Sequence, residues 1–256
     1  MKAVILAGGY GSRLSEETDT RPKPMVEIGG YPILWHIMKI YLHHGISDFI
    51  VCLGYKGFVI KEFFVNYETH MSDLRLDFAK HERQVLRRFA EPWSVTLVDT
   101  GQDTMTGGRL KRVRHLLGDE DFCFTYGDGV GDVNIKALIA QHKQTGHLAT
   151  LTSAHPPGRF GLLTMDGHTV KDFREKPHDE NSYVNAGFFV MNPKALDYVD
   201  DDSQMWEHQP MERLVRENQL AAYRHDGFWQ PMDTLRDKRL LQDMWESGKA
   251  PWRTWD

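Results

Sequence analysis

The feature that most constrains the fold of this chain is a short apolar run near its start that opens directly into a glycine-rich loop. The run 3–6 is only long enough for a strand, and the loop at 7–13 reads Ala-Gly-Gly-Tyr-Gly-Ser-Arg. Glycines let backbone N–H groups close on phosphate oxygens, because no Cβ stands in the way. Arg13 and Lys23 supply positive charge nearby. The pattern predicts a loop that holds a triphosphate at the end of the first strand.

Spacing excludes two other well-known phosphate-binding loops. A Walker A loop needs Gly-Lys-Ser/Thr at its end, whereas Gly11 is followed by Ser12 and Arg13. The dinucleotide fingerprint needs a third glycine three places after its second, and that place is Leu14. Taken alone, the loop is therefore either a different nucleotide-binding loop or a plain turn after a first strand.

The order of apolar segments predicts an α/β fold. In the first half the predicted strands are 2–7, 48–53, 74–78, 95–98 and 122–126, and the predicted helices are 32–44, 56–67 and 108–117. Strands that alternate with helices form a mostly parallel, twisted sheet with helices on both faces. Ligands lie beyond the carboxyl ends of such strands, so we expect the loops at 8–13, 99–109 and 127–132 to meet there.

Strands dominate the second half of the chain. Its predicted strands are 147–154, 161–165, 170–175 and 185–191, and its predicted helices are 134–144, 193–199, 209–217 and 234–246. No linker, repeat or low-complexity tract interrupts the chain. We therefore expect residues 1–256 to form a single domain.

Composition narrows the class of protein further. No apolar stretch approaches the roughly 20 residues of a membrane span, and the formal net charge of −5 argues against a nucleic-acid partner. The basic stretch 83–88 is better explained as a solvated or intersubunit face. Cys52 and Cys123 lie in strand-like runs, which favours buried free thiols and a reducing cytoplasm.

Two aspartates are candidates for holding a divalent cation. Asp128 follows the apolar run 122–126 and stands between two glycines. A carboxylate at a strand end commonly holds Mg²⁺ together with substrate phosphates, although an Asp-Gly turn is the alternative. Asp233 precedes the predicted helix 234–246, where it could be a helix cap. Thr234 could take over that cap and leave Asp233 for the metal.

Together these motifs resemble the sugar nucleotidyltransferases, whose loop reads Leu-Ala-Gly-Gly-x-Gly-Thr-Arg-Leu and is followed by Lys-Pro. Ser12 stands where threonine is usual, and Tyr10 replaces the usual leucine. The resemblance covers the whole chain. It implies a Rossmann-like mixed, mostly parallel twisted sheet with helices on both faces, in which about 1–130 binds the nucleotide and about 131–256 binds the sugar.

The resemblance also implies a role for each motif residue. Arg13 and Lys23 would be catalytic, and Asp128 and Asp233 would hold Mg²⁺. The implied nucleotide-binding residues are Leu6, Ala7, Gly8, Gly9, Gly11, Ser12, Arg13, Lys23, Thr104, Gly108, Arg109 and Asp128. The implied sugar-phosphate-binding residues are Gly161, Glu175, Lys176, Asn185 and Gly187.

Further segments resemble the cytidylyltransferase branch of that family. They lie at 25–29, 32–38, 54–57, 98–101 and 105–112, and at the Trp-rich end around 251–252. This resemblance implies that CTP and glucose 1-phosphate become CDP-glucose and pyrophosphate in the cytoplasm, with Arg109 donating to the cytosine ring. It also implies a homo-oligomer with no nucleic-acid or membrane partner.

Three alternatives stay open at this point. The same chemistry could use another pair of substrates, as in a uridylyl-, thymidylyl- or guanylyltransferase acting on another sugar 1-phosphate. The chain could be a non-catalytic sensor of nucleotide sugars on the same fold. A phosphatase or kinase that uses the strand-end aspartate is the third, but no Asp-x-Asp motif or Walker A loop supports it.

Overall fold

A seven-stranded mixed sheet lies at the centre of the molecule. The computed structural model describes residues 1–156, 162–166, 169–174 and 183–255. The strands are β1 (Ala3–Ala7), β2 (Glu27–Ile28), β3 (Tyr31–Pro32), β4 (Asp48–Leu53), β5 (Ser72–Asp77), β6 (Glu82–Arg88), β7 (Ser94–Asp99), β8 (Phe122–Tyr126), β9 (Gly129–Gly131), β10 (Ala149–Ala154), β11 (Leu162–Asp166), β12 (Thr169–Arg174), β13 (Val184–Met191), β14 (Leu220–His225) and β15 (Trp229–Pro231). The α-helices are α1 (Ser15–Thr18), α2 (Ile33–His43), α3 (Gly57–Val65), α4 (Tyr67–His70), α5 (Thr106–Arg112), α6 (Ile135–Thr145), α7 (Gln209–Arg216) and α8 (Leu235–Glu246). Short 3₁₀ segments are Ser12–Leu14, Lys23–Met25, Arg114–Leu116 and Pro193–Tyr198.

The strand order of the central sheet is β14-β10-β13-β8-β1-β4-β7. β1 pairs in parallel with β4 and β8, β4 pairs in parallel with β7, and β10 pairs in parallel with β14. β13 runs antiparallel to both of its neighbours, β10 and β8. The predicted mixed, mostly parallel sheet is confirmed. The edge strand β14 was not predicted from the sequence.

Alternate residues of β1 pack into two separate hydrophobic clusters, which explains why the first strand is apolar throughout. Ile5 belongs to the cluster that includes residues of α2, α6 and α8, whereas Val4 and Leu6 belong to the cluster that includes residues of α5 and α7. Successive side chains of a strand point to opposite faces of a sheet. Helices therefore cover both faces of the sheet, as predicted.

The predicted strand at 74–78 exists, but the prediction that it is half-buried is wrong. β5 pairs with β6 in a two-stranded antiparallel hairpin outside the central sheet, and β6 contains the whole of the basic stretch 83–88. Leu76 is 51% exposed and Phe78 is 82% exposed. Alternating apolar residues do predict a strand, but they cannot tell whether another element covers its apolar face.

Candidate active site

A pocket of about 400 Å³ lies beyond the carboxyl ends of β1 and β8. Residues 6–12, 102–106 and 126–128 contribute to its lining, so the three loops expected at this edge of the sheet do meet. All of the predicted nucleotide-binding residues except Arg13 and Gly108 line the pocket. Gly108 lies instead against the backbone of Asp202, and the side chain of Arg13 lies outside the described part of the structure.

The ammonium of Lys23 bridges the two predicted metal ligands. Its Nζ lies 2.6 Å from Asp128 Oδ2 and 2.7 Å from Asp233 Oδ1. The Lys23 side chain is only 10% exposed. Burial alone would lower the pKa of Lys23, but the two carboxylates outweigh it and raise the pKa above its usual value. The site therefore keeps a charged lysine between two aspartates that are 105 residues apart in sequence.

A short backbone ladder brings the two aspartate loops together. β9, which follows Asp128, pairs antiparallel with β15, which precedes Asp233. The backbone N–H of Met232 donates to the carbonyl oxygen of Asp128 at 2.8 Å. Neither short strand was predicted, because segments of three residues carry too little pattern to be recognised.

Helix α8 is capped by Thr234, as predicted. The Thr234 side chain accepts from the backbone N–H of Asp237, and Asp237 accepts from the backbone N–H of Thr234, which together form a capping box. The Asp237 carboxylate also accepts from the backbone N–H of Asp233 at 3.1 Å. The Asp233 side chain is therefore left to face Lys23 rather than to cap the helix.

The guanidinium of Arg109 joins the loops around the pocket. Its Nη1 and Nη2 atoms donate to four backbone carbonyls and one hydroxyl, which belong to Leu53, Gly8, Gly101, Gln102 and Thr100. Burial is the main cause of the lowered pKa of Arg109. These donors already serve oxygen atoms of the protein, so donation to a cytosine ring would require some of them to be released.

Tyr10 connects the glycine loop to the loop after β7. Its hydroxyl donates to Asp103 Oδ1 at 2.7 Å and accepts from Gln102 Nε2 at 3.2 Å. All three residues line the pocket. From the sequence, Tyr10 was noted only because it replaces the leucine that is usual in the family loop, and its contacts with Gln102 and Asp103 were not predicted. Gln102 and Asp103 lie within the loop 99–109 that was expected here, but no motif singles them out.

Two of the predicted sugar-phosphate residues lie beside the same pocket. Asn185 and Gly187 are near the start of β13, and Gly187 has a φ of +79°. A Cβ on Gly187 would lie 2.6 Å from Cδ2 of Tyr126, which lines the pocket. The other predicted sugar-phosphate residues, Gly161, Glu175 and Lys176, lie outside the described residues.

The donor set of Asp128 and Asp233 fits Mg²⁺. Both carboxylates contact one cation, the Lys23 ammonium, so they can share a single positive charge. Within the described ranges no group of three or more His, Cys, Asp or Glu residues could hold a metal. Mg²⁺ commonly takes one or two protein carboxylates and completes its shell with substrate phosphates and water.

Comparison with known proteins finds relatives that are similar to this chain over its full length. It is 58% identical over 257 residues to glucose-1-phosphate cytidylyltransferase from Salmonella typhi, with 100% of both proteins covered. The enzyme of that name from Salmonella typhimurium is also 58% identical, again with 100% of both covered. The fold matches that of UTP-bound UGPase from Acinetobacter baumannii with a TM-score of 0.66 at 14% identity, covering 95% of this chain and 92% of that one.

Two further findings concern the chain as a whole. Across the residues that the structure describes, no helix is both long and apolar enough to cross a membrane. The family model described as nucleotidyl transferase matches residues 2–235, which include the glycine loop, Lys23 and both aspartates. The chain therefore belongs to the nucleotidyl transferase family.

Proposed function

We propose that this chain transfers the cytidylyl group of CTP to α-D-glucose 1-phosphate and releases CDP-glucose and pyrophosphate. The similarity to two glucose-1-phosphate cytidylyltransferases at 58% identity over 100% of the chain supports this pair of substrates. The observation that carries the reaction class is the charged Lys23 between Asp128 and Asp233 at the edge of a glycine-lined pocket.

The proposed reaction needs no activated side-chain nucleophile. A phosphate monoester has a second pKa near 6, so glucose 1-phosphate is already an oxyanion at pH 7. An oxygen of this phosphate attacks the α-phosphorus of CTP, and the bond from the α-phosphorus to the bridging oxygen of the departing pyrophosphate breaks. The main obstacle is the repulsion between two anions, which charge stabilisation and positioning must overcome.

In this proposal different residues of the chain bind the different phosphate groups and neutralise their charge. Lys23 neutralises charge at the α-phosphate, and Arg13 with the backbone N–H groups of the glycine loop holds the leaving pyrophosphate. Lys176 orients glucose 1-phosphate, and Glu175 binds its sugar hydroxyls. We propose Asn185, Gly187 and Gly161 as further contacts of the sugar.

Asp128 and Asp233 are the residues that would hold Mg²⁺. When bound there, the ion supplies Lewis-acid stabilisation of negative charge on the phosphates. The protein's own contribution is to keep the two carboxylates close together, which is supported by the β9–β15 ladder and by the bond from Met232 to Asp128.

A substrate panel tests the proposed function. Pyrophosphate release is measured with CTP, UTP, dTTP and GTP against several sugar 1-phosphates, with Mg²⁺ present. We expect the highest kcat/KM for CTP with glucose 1-phosphate. Faster turnover of another pair would replace this proposal with a uridylyl-, thymidylyl- or guanylyltransferase. Binding of nucleotide without turnover of any pair would favour a sensor.

Variants test the assigned residues in the same assay. Lys23→Ala and Asp128→Asn are each expected to lower kcat by at least about 100-fold, because each removes charge stabilisation at the reacting phosphates. Lys238→Ala is the matched control, since its ion pair with Glu17 lies outside the pocket lining. Near-normal turnover in either of the first two variants would contradict the assignment.

We also propose that the chain forms a homo-oligomer in the cytoplasm through the β5–β6 hairpin. Leu76, Phe78, Leu86 and Phe89 are between 47% and 82% exposed there, which is unusual for a surface that meets only water. Both free cysteines, Cys52 and Cys123, are buried, which suits a reducing compartment. Light scattering should give a mass above one chain for the wild type and a lower mass for Phe78→Asp. A monomeric wild type would refute the oligomer.

A further inference from the structure

Tyr126 occupies the boundary between the two substrate regions of the proposed active site. It is the last residue of β8, it precedes Asp128 by two positions, and it lines the nucleotide pocket. On its other side the ring lies against Gly187, where a Cβ would approach Cδ2 to 2.6 Å. The same ring therefore touches the region proposed for the sugar.

The hydroxyl of Tyr126 is held by the carboxylate of Glu207. Tyr126 donates to Glu207 Oε1, and the hydroxyl of Thr106 donates to Glu207 Oε2 at 2.6 Å. Thr106 begins helix α5 and lines the nucleotide pocket. Its oxygen also accepts from the backbone N–H of Trp206 at 2.8 Å, which fixes the segment that carries Glu207. The Glu207 carboxylate thus links Thr106, which lines the nucleotide pocket, to Tyr126.

The network continues from Tyr126 to the start of β13. Burial and the nearby Glu207 carboxylate raise the pKa of Tyr126, whereas a hydrogen bond with the Asn185 side chain lowers it. The phenol therefore stays protonated and keeps donating to Glu207. Asn185 in turn accepts from the backbone N–H of Gly187 at 2.9 Å. Hydrogen bonds thus connect Thr106 to Tyr126 through Glu207, and the Asn185 side chain, which interacts with Tyr126, accepts the backbone N–H of Gly187.

We infer that Tyr126 and Glu207 are positioning residues that couple binding of the nucleotide to binding of the sugar phosphate. This inference rests on the proposed function and adds a thermodynamic link between its two substrates. A nucleotide that contacts the Met105–Thr106 side of the pocket determines the position of Glu207. Glu207 in turn determines the orientation of the Tyr126 ring, which packs against Gly187. Such coupling is reciprocal, because each ligand must change the affinity of the other by the same factor.

Calorimetric binding measurements test the coupling directly. The dissociation constant of glucose 1-phosphate is measured with and without the non-hydrolysable analogue α,β-methylene-CTP, in Mg²⁺, for wild type, Tyr126→Phe and Glu207→Gln. We expect the analogue to tighten sugar-phosphate binding at least about 5-fold in the wild type. In both variants we expect this factor to fall below about 2, with the affinity for the analogue alone changed less than about 3-fold.

The structure offers a matched control for the loss of a tyrosine–glutamate hydrogen bond. Tyr198 donates to Glu217 Oε2 at 2.5 Å on the exposed surface, so Tyr198→Phe should leave the coupling factor at its wild-type value. If one test variant fails to fold, as judged by thermal unfolding, the other decides the result. A merely structural role would weaken both ligands separately and leave their coupling intact.

The outcomes separate this inference from the proposed function. Wild-type protein that binds neither CTP analogue nor glucose 1-phosphate refutes the proposed function itself. Wild-type protein that binds and turns over both substrates, but shows no coupling, overturns only the role of Tyr126 and Glu207. A wild-type coupling factor that survives in Tyr126→Phe or Glu207→Gln overturns it as well.

Discussion

Lys23 occupies the place between two carboxylates where a metal ion would also be attracted. Its ammonium lies within 2.7 Å of both Asp128 and Asp233, and like charges cannot share so small a space without strong repulsion. Lys23 and a divalent ion held by the two aspartates would therefore compete, and a nucleotide phosphate that attracted the ammonium would relieve this competition. This arrangement predicts that the metal binds weakly before the nucleotide and tightly with it.

Removal of the Lys23 charge tests this competition. Lys23→Met should bind Mn²⁺ at least about 10-fold more tightly than the wild type when no nucleotide is present, which corresponds to about 1.4 kcal/mol. Electron paramagnetic resonance of free Mn²⁺ measures the change without any turnover. Lys238→Met serves as the control for lost positive charge. Equal affinity in Lys23→Met and wild type would show that Lys23 does not compete with the metal.

The hydroxyl of Tyr10 gives a second prediction at the scale of one residue. Tyr10→Phe removes the bond to Asp103 that joins two loops lining the pocket. A hydrogen bond of this kind contributes about 1 kcal/mol, so we expect KM for CTP to rise about 5-fold with kcat little changed. Steady-state kinetics at saturating glucose 1-phosphate measure this split. An unchanged KM would mean that the bond does not contribute to nucleotide binding.

At the scale of elements, the glycine loop has two neighbouring glycines with different surroundings. A Cβ on Gly8 would lie 2.3 Å from Nη1 of Arg109, whereas a Cβ on Gly9 would meet nothing within 4 Å. The tip of an arginine can usually move aside, but this guanidinium is held by five hydrogen bonds. Gly8 is therefore needed for packing against Arg109 as well as for any approach of phosphate.

Alanine at these two positions separates packing from phosphate binding. Gly8→Ala should lower the free energy of unfolding by about 2 kcal/mol, because it breaks buried hydrogen bonds of Arg109. Gly9→Ala should change it by less than about 0.5 kcal/mol, because its Cβ would enter open space. Urea unfolding of both variants and the wild type measures the difference. Equal stability of the two variants would contradict the role given to Gly8.

The same elements show how far local sequence patterns reach. The strand before the glycine loop and the Thr234 cap could be predicted because each depends on residues close together in sequence. The meeting of the three loops was predicted from a general rule of α/β folds, that ligands lie beyond the carboxyl ends of parallel strands. The acceptors of Arg109 were not, because four are backbone carbonyls and two of those are 56 and 101 residues away. A backbone carbonyl carries no residue-specific signal. Glu207 and Asp103 were missed for a related reason, since a lone acid on a loop matches no motif.

At the scale of the whole molecule, His36 connects the C-terminal segment that contains Trp252 to the short strand β2. This residue of helix α2 is fully buried, and its Nε2 lies 2.8 Å from the carbonyl oxygen of Ile28. Its Nδ1 accepts from Nε1 of Trp252 at 3.4 Å. The carbonyl can only accept and the indole N–H can only donate, so both bonds require the neutral imidazole with its proton on Nε2.

This neutral histidine predicts that the fold loses stability in mild acid. Burial lowers the pKa of His36 to about 4, against about 6.5 for an unfolded histidine. Between these values the unfolded chain binds a proton that the folded chain does not, so the free energy of unfolding decreases as the pH falls from 6.5 to 4. The full effect is about 3 kcal/mol.

Urea unfolding at several pH values should give a shallower pH dependence for His36→Gln than for the wild type. His70→Gln, at an exposed position of helix α4, should keep the wild-type slope, and the buried or half-buried His44 and His142 contribute equally to all three proteins. If His36→Gln loses stability with falling pH as steeply as the wild type does, the neutral state of His36 does not tie the C-terminal segment to helix α2.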